Sequence, residues 1–103
     1  MSAQRLAKIE KEIEAIKARI AEIGVVRPGS LTRQYKDPRN RKGAYWQISY
    51  THRMRSKTAY VRPDSLPVVR RQIRDYKTLK RLVERWVALG IEYSGLSMRR
   101  SSR

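Results

Sequence analysis

The sequence has no cysteine and no phenylalanine, a single histidine, and only nine acidic residues in 103. Each shortage excludes something. Without cysteine there is no disulfide framework and no thiolate metal site. One histidine, His52, cannot begin a zinc site, which needs about three or four protein ligands, so no metal or other cofactor is expected. The nine acids are Glu10, Glu12, Glu14, Glu22, Asp37, Asp64, Asp75, Glu84 and Glu92. None forms a recognisable pair with His52, Ser30 has no base beside it in sequence, and there is no glycine-rich phosphate loop. An enzyme is therefore the least expected class. No apolar run is long enough to span a bilayer and no signal-peptide core follows the first methionine, so a cytoplasmic protein associated with the nucleoid or a ribonucleoprotein is expected.

What is abundant is positive charge. Lys and Arg number 25, for a net charge of +16 and a pI near 11.1. Such an excess points to a polyanionic partner. Its placement is uneven. Residues 5–22 hold five basic and four acidic side chains, residues 27–62 ten basic against Asp37 alone, and residues 63–93 seven basic against four acidic. Arg99, Arg100 and Arg103 follow.

The stretch 44–62 reads as a β-hairpin. Ala44 to His52 and Lys57 to Arg62 are rich in aromatic and β-branched residues. An even loop, either Met54-Arg55 or Arg53 to Ser56, sets His52 opposite Lys57, Tyr50 opposite Ala59 and Ile48 opposite Val61. Because strand side chains alternate, one face then carries Trp46, Ile48, Tyr50, Ala59 and Val61. The other carries Tyr45, Gln47, Ser49, Thr51, Thr58, Tyr60 and Arg62. The first is a core face, with Trp46 expected against the last helix near Val69 or Ile73. The second is polar and cationic.

Residues 3–23 read as a coiled-coil-like helix. Leu6, Ile9, Ile13, Ile16, Ile20 and Ile23 fall at heptad spacing, a seam suited to the last helix of this chain or to a second copy. Residues 24–43 read as an irregular basic loop, with turn signals at Pro28-Gly29 and Asp37-Pro38. Residues 65–89 read as an amphipathic helix, capped by Asp64 or Ser65. At about 100° per residue, Leu66, Val69, Ile73, Tyr76, Leu79, Leu82, Val83, Trp86 and Val87 share one broad side, expected to meet both the first helix and the hairpin. Arg70, Arg74, Lys77, Arg81 and Arg85 form a stripe on the other. Gly90 ends this helix, and residues 94–103 are expected to be a flexible basic tail. The fold expected is α+β, with residues 1–93 a single domain: long helix, basic loop, two-stranded antiparallel hairpin, and a long helix packed on the first.

The stretch from Arg27 through Tyr76 resembles an uncharacterised family of small prokaryotic proteins often encoded beside transposases and other mobile elements. The matching residues are Gly29-Ser30-Leu31, Gly43-Ala44-Tyr45, Ile48-Ser49-Tyr50, Lys57-Thr58, Tyr60-Val61 and Asp75-Tyr76. Many relatives carry a cysteine cluster where this chain reads KDPRNRKG, so no metal role transfers. The resemblance implies work on DNA or RNA. The hairpin followed by a helix is also similar in plan to the arm-binding domains of phage integrases, which lay a small sheet in the major groove.

These readings converge on a nucleic-acid-binding accessory protein, with DNA favoured over RNA. Arg53, Arg55 and Lys57 at the tip would meet a groove or phosphates, and Arg39, Arg41 and Lys42 the flanking backbone. Arg62 and the stripe Arg70, Arg74, Lys77, Arg81 and Arg85 would add a second track, with Tyr45 and Tyr60 stacking on bases or pairing across the strands. The alternatives are an RNA-binding component of a ribonucleoprotein and a helical interaction subunit. A homodimer, or docking on a larger nucleic-acid enzyme, would use the Leu6–Ile23 seam.

Overall fold

A computed structural model describes residues 2–101. The element order is α1 (Ser2–Ala21), β1 (Ser30–Asp37), β2 (Lys42–His52), β3 (Arg55–Val61), a short 3-10 turn (Pro63–Ser65) and α2 (Leu66–Ser101). The three strands form one antiparallel sheet in the order β1-β2-β3. The class is α+β as expected, with one strand more than the hairpin alone. The chain divides into two compact units, one from Met1–Gly24 and Thr78–Arg103, the other from Val25–Lys77. α2 contributes residues to both.

In the first unit, α1 pairs antiparallel with the C-terminal part of α2. Ile9 and Ile16 are buried with Leu82 and Leu89, and Ile13, Ile20, Ile23, Tyr93 and Leu96 pack around them. Leu6 is buried as well. The heptad seam is thus used inside the chain. Polar pairs flank it. Arg5 donates Nε to Glu92 Oε2 at 2.6 Å and Nη2 to Oε1 at 2.7 Å. Arg85 makes the same two-pronged contact with Glu12 at 2.6 and 3.2 Å. Tyr93 donates its hydroxyl to Glu10 at 2.8 Å.

α2 corrects two expectations. It does not stop near Gly90, and the segment from Ser94, expected to be a flexible tail, is helical through Ser101; residues 102 and 103 lie outside the described residues. The cause is packing. A 20-residue α1 needs an antiparallel partner of equal length, and Leu89, Tyr93 and Leu96 supply its later turns. Gly90 and Gly95 face open space, where each costs the helix only about 1 kcal/mol relative to alanine.

In the second unit, β2 is the central strand. Its partners on β1 include Leu31 for Ile48, Arg33 for Trp46 and Gln34 for Tyr45. On β3, Trp46 faces Val61, Ile48 faces Ala59, Tyr50 faces Lys57 and His52 faces Arg55. The hairpin register therefore differs by two residues from the expected one, because the loop is the two-residue pair Arg53-Met54. A shift of two leaves every side chain on its own face, so the sorting into a core face and a polar face stands. Ile48, Val61 and Ile73 are buried together, with Leu31, Trp46, Leu66 and Val69 against them. Trp46 does meet α2, half-buried, with the Arg70 guanidinium 4.9 Å from its ring centroid.

The missed strand, β1, lies in the segment read as irregular loop. Gly29 leads into it at φ 144°, and a Cβ there would lie 2.8 Å from the Ile48 side chain. Only glycine lets the backbone run that close over the core.

The arginine–carboxylate contacts of the first unit have a consequence for acid stability. Hydrogen bonding from Arg85 holds the Glu12 carboxyl below its ordinary range, and Arg5 does the same for Glu92. A carboxyl depressed on folding stabilises the fold above the ordinary glutamate pKa of about 4.3. That contribution is lost as pH falls through the depressed values. The protection factors of α1 amides against hydrogen exchange in the whole chain, taken relative to the intrinsic rate at each pH, will therefore fall below about pH 4.3. Glu12→Gln with Glu92→Gln will lower this protection at neutral pH and flatten its acid dependence.

Candidate nucleic-acid interface

The second unit carries its cations on the perimeter of the sheet. Between residues 30 and 62 they are Arg33, Lys36, Arg39, Arg41, Lys42, Arg53, Arg55, Lys57 and Arg62, against Asp37 alone. All lie on the edge strands β1 and β3, in the two turns, or at strand ends. From Gly43 to Thr51 the central strand has no charge.

Two turns hold the ends of this perimeter. The first, residues 38–41, is fastened by Asp37, which accepts from the Asn40 side-chain amide at 2.9 Å and from its backbone N–H at 3.4 Å. Arg41 has a positive φ of 52°, and Lys42 sits opposite Asp37. Arg39, Arg41 and Lys42 are all exposed. The second turn is Arg53-Met54, with φ of 52° and 65°. Two left-handed residues in a two-residue hairpin loop make a type I′ turn, which matches the twist of the strands. The usual Asn-Gly is absent, which is why its position was not legible in the sequence.

Arg55 and Lys57 face the same side of the sheet as Ile48, because they pair with His52 and Tyr50. Past the end of the core, this face becomes a cationic concavity of about 500 Å³ lined by Tyr50, His52, Arg53, Arg55 and Lys57. Arg27 adds to it. Its backbone N–H donates to Gln72 O at 3.3 Å, and its guanidinium lies 4.8 Å from the Tyr50 ring centroid. Sequence reasoning missed Arg27 as a site residue. Its only signal was a basic residue directly before Pro28-Gly29.

The opposite face of the sheet carries Ser30, Thr32, Gln34, Lys36, Gly43, Tyr45, Gln47, Ser49, Thr51, Ser56, Thr58 and Tyr60 by alternation. It was expected to be polar and cationic. Within the strands only Lys36 is charged, because Arg62 falls after the end of β3 and lies 3.6 Å from Asp64. Tyr45 and Tyr60 pair across the strands, with ring centroids 6.4 Å apart and planes at 50°. Thr51 and Ser56 join their hydroxyls at 2.9 Å. Near the first turn, Lys36, Gly43, Ala44, Tyr45 and Tyr60 border a groove of about 530 Å³.

The arginine and lysine stripe of α2 is divided between the two units. Arg70 covers Trp46, and Arg74 and Lys77 are exposed in the second unit. In the first unit, Arg81 donates to Thr78 Oγ1 at 3.2 Å, and Arg85 is held by Glu12. Among the described residues no three histidines or acids come together in a metal-binding group, and no helix is long and apolar enough to cross a membrane.

A family model described as a domain of unknown function, DUF6788, matches residues 6–71, and the chain belongs to that family. No curated protein and no solved structure matches the chain.

The turn geometry gives a direct check. A left-handed conformation costs a residue other than glycine about 1–2 kcal/mol, partly offset by the entropy glycine loses on folding. Met54→Gly will therefore stabilise the protein by about 0.5–1 kcal/mol in urea denaturation. A loss of stability would mean that the turn is not of this type.

Proposed function

We propose that this protein binds nucleic acid, duplex DNA in preference to RNA, through the sheet of its second unit. The observation that carries the reading is the ring of eight cations against Asp37 between residues 30 and 61, around a central strand uncharged from Gly43 to Thr51, with Arg62 beyond it paired to Asp64. Phosphates are the ligand such a ring suits. Arginine and lysine at the turns meet them as exposed charges, and each contact releases a counterion. The cationic concavity at Arg53, Arg55 and Lys57 gives the ring its densest point. Arg39, Arg41 and Lys42 act at the other end of β2, about 35 Å away along a strand of this length. Arg74 and Lys77 are further cations of the same unit, whereas Arg70 and Arg85 already have partners within the chain.

Replacing Arg53, Arg55 and Lys57 together by alanine tests this. Binding to duplex DNA will weaken, and the slope of log K against log salt will fall by about three. Unchanged affinity and slope in a folded triple variant remove the tip from the interface.

A second reading, an interaction subunit, is favoured by one observation in the first unit. Val83, Val87, Ile91 and Met98 are 42, 56, 70 and 63 % exposed and fall within one narrow arc of α2 at 100° per residue. An exposed apolar strip of this kind favours association. We propose that a homodimer, or docking on a larger nucleic-acid enzyme, uses this strip, since the Ile seam is occupied within the chain. Light scattering on nucleic-acid-free protein will show a mass above the monomer, and Val87→Glu with Ile91→Glu will return it to one chain. A wild-type monomer confines the strip to docking on another protein.

A further inference from the structure

The open face of the sheet differs chemically from its surroundings. A third of the chain is charged, yet of twelve strand positions on this face only Lys36 is. Solvent faces of strands commonly use lysine and other charges to stay soluble and to block edge pairing. Here the face instead offers hydroxyl and carboxamide groups, each able to donate and accept, together with two tyrosines. Such a surface has little to hold a phosphate and much to pair with neutral donors and acceptors.

Base edges are such a set. In the major groove of B-DNA every base pair presents a distinct pattern of donors, acceptors and thymine methyl groups on the floor, while the phosphates stand along the walls. The sheet has a comparable layout, with neutral groups in the middle of this face, Lys36 on one edge and the turn arginines Arg39, Arg41 and Arg53 at the two ends, while Arg33, Lys42, Arg55 and Lys57 side with the core face. Its dimensions agree. Three strands at about 4.8 Å spacing are about 10 Å wide between outer backbones, against a groove about 12 Å wide. Helix α2 packs on the other face through Val69 and Ile73; on this one Tyr60 is 62 % exposed, Thr32 and Thr58 are exposed and Gln47 is half-buried.

We propose that the open face of the sheet seats in the major groove of duplex DNA and reads base edges there, with Gln47 at its centre. The proposal rests on the nucleic-acid reading above and adds to it the groove, the face and sequence preference. Gln47 lies on the central strand between Thr32 of β1 and Tyr60 of β3. A carboxamide there suits adenine, which offers an acceptor and a donor side by side at N7 and N6. Thr32 and Thr58 flank it on the edge strands with a hydroxyl and a methyl each. A-form RNA is excluded as the specific ligand because its major groove is too deep and narrow for side chains to read.

Selection from a random duplex pool, followed by methylation interference, tests this with the full chain. Wild-type protein will enrich a short motif containing adenine. Methylation at guanine N7, in the major groove, will interfere with binding, and methylation at adenine N3, in the minor groove, will not. Gln47→Ala will reduce the preference for the selected site over random duplex on the order of tenfold, at one base position. Thr32→Ala and Thr58→Ala, on exposed edge positions, will each relax a neighbouring position and serve if the central variant does not fold. Binding with no enriched motif, interference at adenine N3 alone, or binding confined to RNA or single strands would overturn this proposal and leave the nucleic-acid reading standing. Absence of binding to any nucleic acid would overturn both.

Discussion

Burying Ile48 decides which way every other side chain of the central strand points. It is 1 % exposed, with Leu31 and Ala59 opposite it on the two neighbouring strands and Val61 and Ile73 in its cluster. With a period of two, fixing that side chain inward sends Gln47 and Ser49 outward and carries Tyr50 and His52 toward the tip on the core side. The cationic concavity and the neutral face are therefore consequences of one buried residue. The strand cannot slip by one without exposing Ile48 and burying Gln47, which would leave a carboxamide without partners.

Much of this was legible in the sequence, and the places where it was not have distinct causes. The two faces of the hairpin could be assigned because parity survives any even shift of register. The register itself could not, because Arg53-Met54 carries no glycine or asparagine to mark a type I′ turn. β1 was hidden by its neighbours. Leu31 and Tyr35 alternate with Thr32 and Gln34 as a strand should, but Arg33 interrupts the apolar parity and turn residues crowd both ends. The helix α2 was cut short because Gly90 reads locally as a stop. The overriding term, burial of Leu89, Tyr93 and Leu96 on α1, belongs to the tertiary structure.

The site shows the same division. A chain this basic leads the sequence reading to expect a polyanionic partner, and charge placement picks out residues 27–62 as the candidate region without any coordinates. Sequence cannot tell which cations are already engaged. Arg70 and Arg85 looked like members of one helical stripe, yet one lies on an indole and the other in a two-pronged carboxylate contact. Nor does sequence alone show that a third strand completes the neutral face, since that depends on pairing between residues about fifteen apart.

The tip of the hairpin has a chemical consequence of its own. Met54 is 97 % exposed, the most exposed of the large apolar side chains described, and it projects between Arg53 and Arg55. A thioether so placed meets dissolved peroxide with nothing in the way. Its sulfoxide exchanges an apolar group for a polar one, and a reductase can reverse the change. No core contact is lost, because the side chain buries almost nothing. Oxidation at this position would alter the surface among the charges of the tip without removing a core contact.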